Sequence, residues 1–202
     1  MIRSAFLRDQ RGAAGAEFAL VVPLLLIFLF SIIDGGRFLW EVNQAEKATQ
    51  AGVRLASVTD IIPGGFVGYS YVGQTVGGVT LTQGDRVPAA ALGSVTCTRT
   101  ACTCSGSCPP VGTINSDAFD RIVTRMQAMY PRIAANNVRV EYSGSGLGFA
   151  GDPNGMDVVP IVSVRLTGLQ FNPITTLSFA TVNLPSIRSS LTAEDSAGVQ
   201  SN

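Results

Sequence analysis

Hydrophobic and polar positions divide the chain into three regimes. From Ala13 to Ile33 the only charged residue is Glu17, and Leu20-Val-Val-Pro-Leu-Leu-Leu-Ile-Phe-Leu-Phe30 is apolar on every helical face. As a helix rising about 1.5 Å per residue, this stretch is about 31 Å long, close to the roughly 30 Å hydrocarbon core of a bilayer. In a small protein a helix apolar all round belongs in lipid. Pro23 would break a soluble helix but is tolerated in a membrane span. The second regime is amphipathic. Phe38, Val42, Ala45, Thr49, Gly52 and Ala56 recur every three or four residues, with Glu41, Asn43, Glu46, Lys47, Gln50 and Arg54 on other faces. The pattern predicts a transmembrane helix over 13–34, a bend at Gly35-Gly36 at the membrane surface, and an amphipathic helix over 35–60 that Pro63-Gly64-Gly65 ends. The apolar stripe reads as packing on the chain's own folded part, a use compatible with packing on partner subunits.

The third regime, 61–193, predicts a small α+β domain. Residues 61–115, rich in Gly, Thr, Ser and Val, read as loop and irregular β, with Val79-Thr-Leu81 as an extended candidate. Ser116 to Tyr130 reads as a helix, with Ser116 as N-cap, Asp117 and Asp120 in the first turn, and Phe119, Ile122, Val123, Met126 and Tyr130 on one core-facing stripe. Alternation predicts a strand carrying Val138, Val140 and Tyr142 and another over Val158–Leu169. A third lies between Leu177 and Thr192, interrupted by Pro185. Asp152-Pro-Asn-Gly155 has the residues of a type I turn and would join the first two strands as an antiparallel pair. The tail, 194–202, is small and polar and predicts fraying.

Charge orients the apolar segment. Arg3, Arg8 and Arg11 precede it, against Asp9 alone, so residues 1–12 read as a cytoplasmic leader and the long C-terminal part as exported. A cleaved secretory signal would have an apolar core of about 7–15 residues and a small-x-small end. This run is longer and closes on Asp34-Gly-Gly-Arg37. A buried core helix is the remaining alternative.

Composition narrows the chemistry. The 202 residues carry 14 basic and 14 acidic side chains and no histidine. A neutral chain gives no reason to invoke nucleic acid, which demands a basic face to meet phosphates. Without imidazole there is no Ser-His-Asp or Cys-His nucleophile and no His-ligated zinc. Phosphate loops, nucleophile elbows and paired-carboxylate motifs are also missing, so the chain reads as a non-enzyme without cofactor or metal. Gly146-Leu-Gly-Phe-Ala-Gly151 matches a dinucleotide fingerprint by letter, but a turn follows it where a helix should open. It reads as a flexible hairpin loop. Asp152, Asn154 and Asp157 could bind calcium weakly, but they lack the order of an EF-hand loop and read as a turn. Cys97, Cys102, Cys104 and Cys108 cluster in one loop, 97–108, of an exported part. They read as two disulfides, with metal ligation or free thiols as alternatives. Four cysteines allow three pairings, of which the cramped Cys102–Cys104 ring is the least favourable.

Arg11-Gly12-Ala-Ala-Gly-Ala-Glu17-Phe18 resembles the processing motif of type IV pilin-like proteins, with Gly at the cut, Glu five residues later and an aromatic next. The longer run through Pro23-Leu-Leu-Leu, then Asp34-Gly-Gly-Arg37 and Ala51-Gly-Val-Arg-Leu-Ala56, resembles the TadE-like family of pseudopilins. That resemblance implies a pilin-like protein of the bacterial inner membrane. It implies a cytoplasmic N-terminus, a periplasmic C-terminal domain, and a role in tight-adherence (Flp) pilus assembly or secretion. It implies Gly12, Ala13, Glu17 and Phe18 as the recognition site of a prepilin peptidase, Glu17 as a register device between subunits, and other pilins or pseudopilins as partners. A single-pass periplasmic binding or sensing module is the rival, and a tethered hydrolase a more distant one.

Overall fold

The computed structural model describes residues 13–175 and 181–194. The leader 1–12, with Gly12, and the tail beyond Glu194 lie outside the described residues, as do positions 177–180 of the third-strand expectation. The fold is α+β, with one long apolar N-terminal helix, one further helix and antiparallel sheets. It divides into two units. One takes in the described residues up to Glu41 together with Gln170–Val182; the other takes in Val42–Leu169 and those from Asn183 on.

Helix α1 runs without interruption over Ala13–Ala56, with Pro23 inside it. The helix is not broken at Gly35-Gly36, where a bend was expected. A helical glycine costs only about 1 kcal/mol against alanine. Here the pair is bridged by an ion pair one turn long, Arg37 Nη1 to Asp34 Oδ1 at 2.9 Å. Beyond Glu41 the helix is amphipathic as expected, burying Ala45, Ala48, Thr49, Gly52, Val53 and Ala56 and exposing Glu46, Lys47, Gln50 and Arg54. Glu41, expected on the polar side, is buried.

The second unit is built on a five-stranded antiparallel sheet in the order β4-β3-β5-β6-β9. Its strands are β3 (Ser94–Cys97), β4 (Cys102–Ser105), β5 (Val138–Ser143), β6 (Ile161–Leu166) and β9 (Ile187–Thr192). A separate hairpin joins β1 (Thr75–Val76) to β2 (Val79–Thr80). Strands β5 and β6 are the alternating segments of the sequence. Val138, Val140 and Tyr142 stand opposite Leu166, Val164 and Val162, all on the buried face. Strands β3 and β4 arise where only irregular β was expected. They are four residues each and rich in Ser, Thr and Cys, so they carry little hydrophobic period.

Helix α2 (Ser116–Gln127) covers the sheet's apolar face with Ala118, Phe119, Ile122, Val123 and Met126. Its N-cap is Asn115, whose side chain accepts from the Ala118 N–H at 3.0 Å, and not Ser116. It ends three residues before Tyr130. Helix α1 enters the same core at Gly52, where an added Cβ would lie 2.7 Å from Met126 Cγ and 3.6 Å from Val164 Cγ1. The glycine therefore sets how closely α1 approaches α2 and the sheet. At the other edge, the Ser189 hydroxyl donates to Thr49 Oγ1 at 3.2 Å and the Glu194 N–H to the Ser57 carbonyl at 2.8 Å, tying β9 to α1. Tyr142 is buried and its hydroxyl accepts from the Ile62 N–H at 3.2 Å; burial pushes its ionisation well above the ordinary phenol range.

The glycine-rich loop after β5 is pinned, not loose. The Val87 N–H donates to Gly148 O at 3.1 Å and the Ala150 N–H to Asp85 O at 2.8 Å, a path that needs the left-handed φ of +107° at Gly148. No helix follows it. Asp157, buried, spends its carboxylate on the Tyr71 N–H at 2.6 Å and the Asp152 N–H at 3.1 Å, so it closes this loop and is not turned toward a cation. The small pocket beside Tyr71 and Asp157 holds about 10 Å³, room for about one water molecule.

Candidate functional site

The feature with no structural explanation inside the fold is the N-terminal half of α1. Its most apolar 18-residue window has a mean hydropathy of 2.6, and none of that window is buried. A dozen large apolar side chains from Phe18 to Ile33 stand exposed, Phe18 at 70% and Leu24 at 70%. Burying such a side chain fully is worth about 1.5–3 kcal/mol. Leaving this set in water would forgo on the order of 10–20 kcal/mol, as much as the about 5–15 kcal/mol that stabilises a whole domain. Among the described residues this is the one helix long and apolar enough to cross a membrane, which fits a single-pass membrane protein. Its one serine is satisfied within the helix. The Ser31 hydroxyl donates to Ile27 O at 2.7 Å, one turn back, as hydroxyls do in lipid-facing helices.

Ala13 opens α1, and Glu17 and Phe18 follow in its second turn, both exposed. Ala13 and Glu17, four apart, share one helix face. Glu17 forms no ion pair or side-chain hydrogen bond among the described residues. A carboxylate held in lipid without a partner costs up to about 2.5–3.5 kcal/mol at the span centre and less near the interface, so the position calls for headgroups, a terminal amine or a neighbouring chain.

At the other end of the apolar run the chain builds a clamp that sequence reading missed. Asp34 accepts hydrogen bonds from the Ile174 N–H at 2.9 Å, the Thr175 N–H at 2.8 Å and the Thr175 hydroxyl at 2.9 Å, besides that from Arg37. The Arg37 guanidinium lies 5.2 Å from the centre of the Phe171 ring, and Phe38 meets that ring edge-on at 5.6 Å. Phe171 belongs to β7 (Gln170–Phe171), which forms a two-stranded sheet with β8 (Val182–Asn183). Asp34-Gly-Gly-Arg37 is therefore a fastening point for the segment from 170 to 175. The Asp/Arg spacing of three was the available signal. The fastened partner, 140 residues away, was not visible from it.

The cysteines form two disulfides, Cys97–Cys102 and Cys104–Cys108. Cys97 and Cys102 face each other across the β3–β4 ladder, so strand register selects that pair and leaves the other two to join. Arg99, in the turn between these strands, reaches α2, where Nε and Nη2 donate to Asp120 at 2.8 Å each. The guanidinium's hydrogen bonds hold the Asp120 carboxyl below the usual range.

The family model of TadE-like protein matches residues 12–54, which takes in the exposed apolar run, Glu17, Asp34, Arg37 and Gly52, but not the segment that Asp34 fastens. It is the family that the sequence resembles. No curated protein and no solved structure matches the chain.

Proposed function

We propose that this chain, with a TadE-like segment over residues 12–54, is a membrane-anchored, pseudopilin-like component of a tight-adherence (Flp) pilus assembly or secretion machine. The observation that carries the reading is the exposed apolar half of α1, headed by the Gly12-to-Phe18 motif. In this reading α1 anchors the chain in the inner membrane. Arg3, Arg8 and Arg11 keep the leader in the cytoplasm, and the sheet domain with its disulfides works in the periplasm, an oxidising compartment.

A prepilin peptidase cuts after Gly12. The cut removes three arginines and one aspartate, so the formal side-chain charge moves from 0 to −2, and it frees an amine at Ala13. That amine, from the same chain or a neighbour, offsets the unpaired Glu17 and so sets subunit register. Pilins or pseudopilins of the same machine are the partners.

The test is N-terminal sequencing of protein purified from membranes of cells with an active prepilin peptidase. Ala13 as first residue is the expected result, and Met1 or Ile2 would overturn cleavage. Gly12→Leu should block processing. Glu17→Gln should leave insertion intact and impair assembly. For topology, phosphatase activity without cytoplasmic-type fluorescence is expected from reporters fused after Val199, and the reverse would overturn the orientation.

A further inference from the structure

Lys47, Arg54 and Arg125 surround one open groove of about 640 Å³ between α1 and α2, lined between them by Ala51, Leu55 and Met129. Among the described residues no carboxylate lines it. None of the three cations forms an ion pair or hydrogen bond among the described residues, although other arginines of this domain are engaged: Arg99 by Asp120, Arg121 by Asp60, and Arg165 and Arg188 by Glu141. The adjoining groove, which shares Leu55 and Arg125, holds Asp117 and Asp120, and Asp120 is already committed to Arg99. Val58 and Met129 stand exposed at 41% and 38%. An apolar channel between two helices, rimmed by unneutralised cations, has the form of a helix-in-groove binding site.

We infer that this groove is the docking site for an acidic amphipathic helix of a different protein. Charge decides the occupant. Two copies of this chain pairing groove to groove would bring six cations together with no carboxylate from either lining, and like charges juxtaposed at an interface oppose association. A partner helix with carboxylates flanking an apolar stripe satisfies all three cations and covers Leu55, Val58 and Met129. Along α1 the groove runs from Lys47 to Leu55, about 12 Å of helix, which accommodates two turns of such a partner. The inference rests on the sheet-bearing domain alone. It holds or fails independently of leader cleavage and of the membrane reading.

The test uses the full chain in its native host, with the photo-crosslinking residue benzoylphenylalanine placed at Gln50, inside the groove, or at Asn154 as an exposed control. The expected result is a crosslink specific to position 50. Its partner peptide, sequenced by mass spectrometry, should be an acidic amphipathic helix of another protein. The yield should fall by about tenfold or more in the Arg54→Glu/Arg125→Glu double variant and recover when two carboxylates of the partner helix are changed to lysine. The double variant's thermal unfolding should match that of the parent, since neither arginine is buried or paired. A crosslink to a second copy of this chain, a crosslink to lipid, an equal yield after charge reversal, or no crosslink above the control would each overturn the inference.

Discussion

Replacing Gly52 tests how α1 is seated in the core. Gly52→Ala adds one methyl whose carbon would sit 2.7 Å from Met126 Cγ and 2.8 Å from Sδ. Carbon contacts settle at about 3.5–4.0 Å, so something must give by about 1 Å. Met126 is fully buried and has no room to swing outward; it must change rotamer against Val164 and its own helix. Overpacking of this kind costs about 1–3 kcal/mol. Against it stands the helix-propensity gain of about 0.8–1.0 kcal/mol for alanine over glycine. The net expectation is destabilisation by about 0–2 kcal/mol. In a domain of this size each kcal/mol moves the midpoint by about 2–4 °C. Gly52→Val, bulkier and a poorer helix former, should cost about 3 kcal/mol or more.

The decisive measurement is a double-mutant cycle, read by thermal unfolding of the full chain in detergent. Met126→Ala alone should cost about 2–5 kcal/mol. In the Gly52→Ala background the loss should shrink by about 1 kcal/mol, because the new methyl occupies part of the vacated space. If Gly52→Ala raises the midpoint by the full propensity gain, or the two substitutions add, Gly52 is not a contact glycine.

Three further outcomes follow from the geometry. Asp34→Ala removes the acceptor shared by the Ile174 and Thr175 N–H groups, so their hydrogen exchange should accelerate by at least about tenfold while amides in β5 and β6 are unchanged; unchanged rates at both residues would refute the clamp. Asp120 has its carboxyl held down by Arg99 hydrogen bonds, so the pair's contribution is fully present above the unfolded carboxyl value near about 3.9 and is lost as pH falls through the lower folded value. Midpoints measured from pH 6 down to pH 2 should therefore fall more steeply in the parent than in Arg99→Ala, and parallel profiles would contradict this. The two short disulfide loops should each contribute about 2 kcal/mol by chain-entropy reckoning. Non-reducing mass spectrometry of membrane-purified protein should find no free thiol, reductant should lower the midpoint, and four alkylatable thiols would refute both bridges.

Local order along the chain determined the elements whose signal is periodic and self-contained. The apolar run Leu20–Phe30 was readable as a helix of membrane-spanning character because no face of it is polar. Strand β5 was readable because Val138, Val140 and Tyr142 alternate with Arg139, Glu141 and Ser143, and α2 because Phe119, Ile122, Val123 and Met126 recur at helical spacing. Four cysteines in one short loop already pointed to bridges.

Tertiary structure decided what depends on residues distant in the chain. Helix α1 continues through Gly35-Gly36 although the glycines suggested a bend, for the Asp34–Arg37 pair spans them and Ile174 and Thr175 hold Asp34 in place. Strands β3 and β4 are too short and too polar to announce themselves. They form because β5 offers a ladder and because Cys97 opposes Cys102, the register that also selects the disulfide pairing. Gly52 looks like a weak point in a helix until Met126, seventy-four residues later, is packed against it. Lys47, Arg54 and Arg125 likewise share a groove only because that contact brings α1 and α2 together. A helix period or a strand alternation records how one segment meets a generic apolar surface; it carries nothing about which side chains, from which distant segment, that surface is made of.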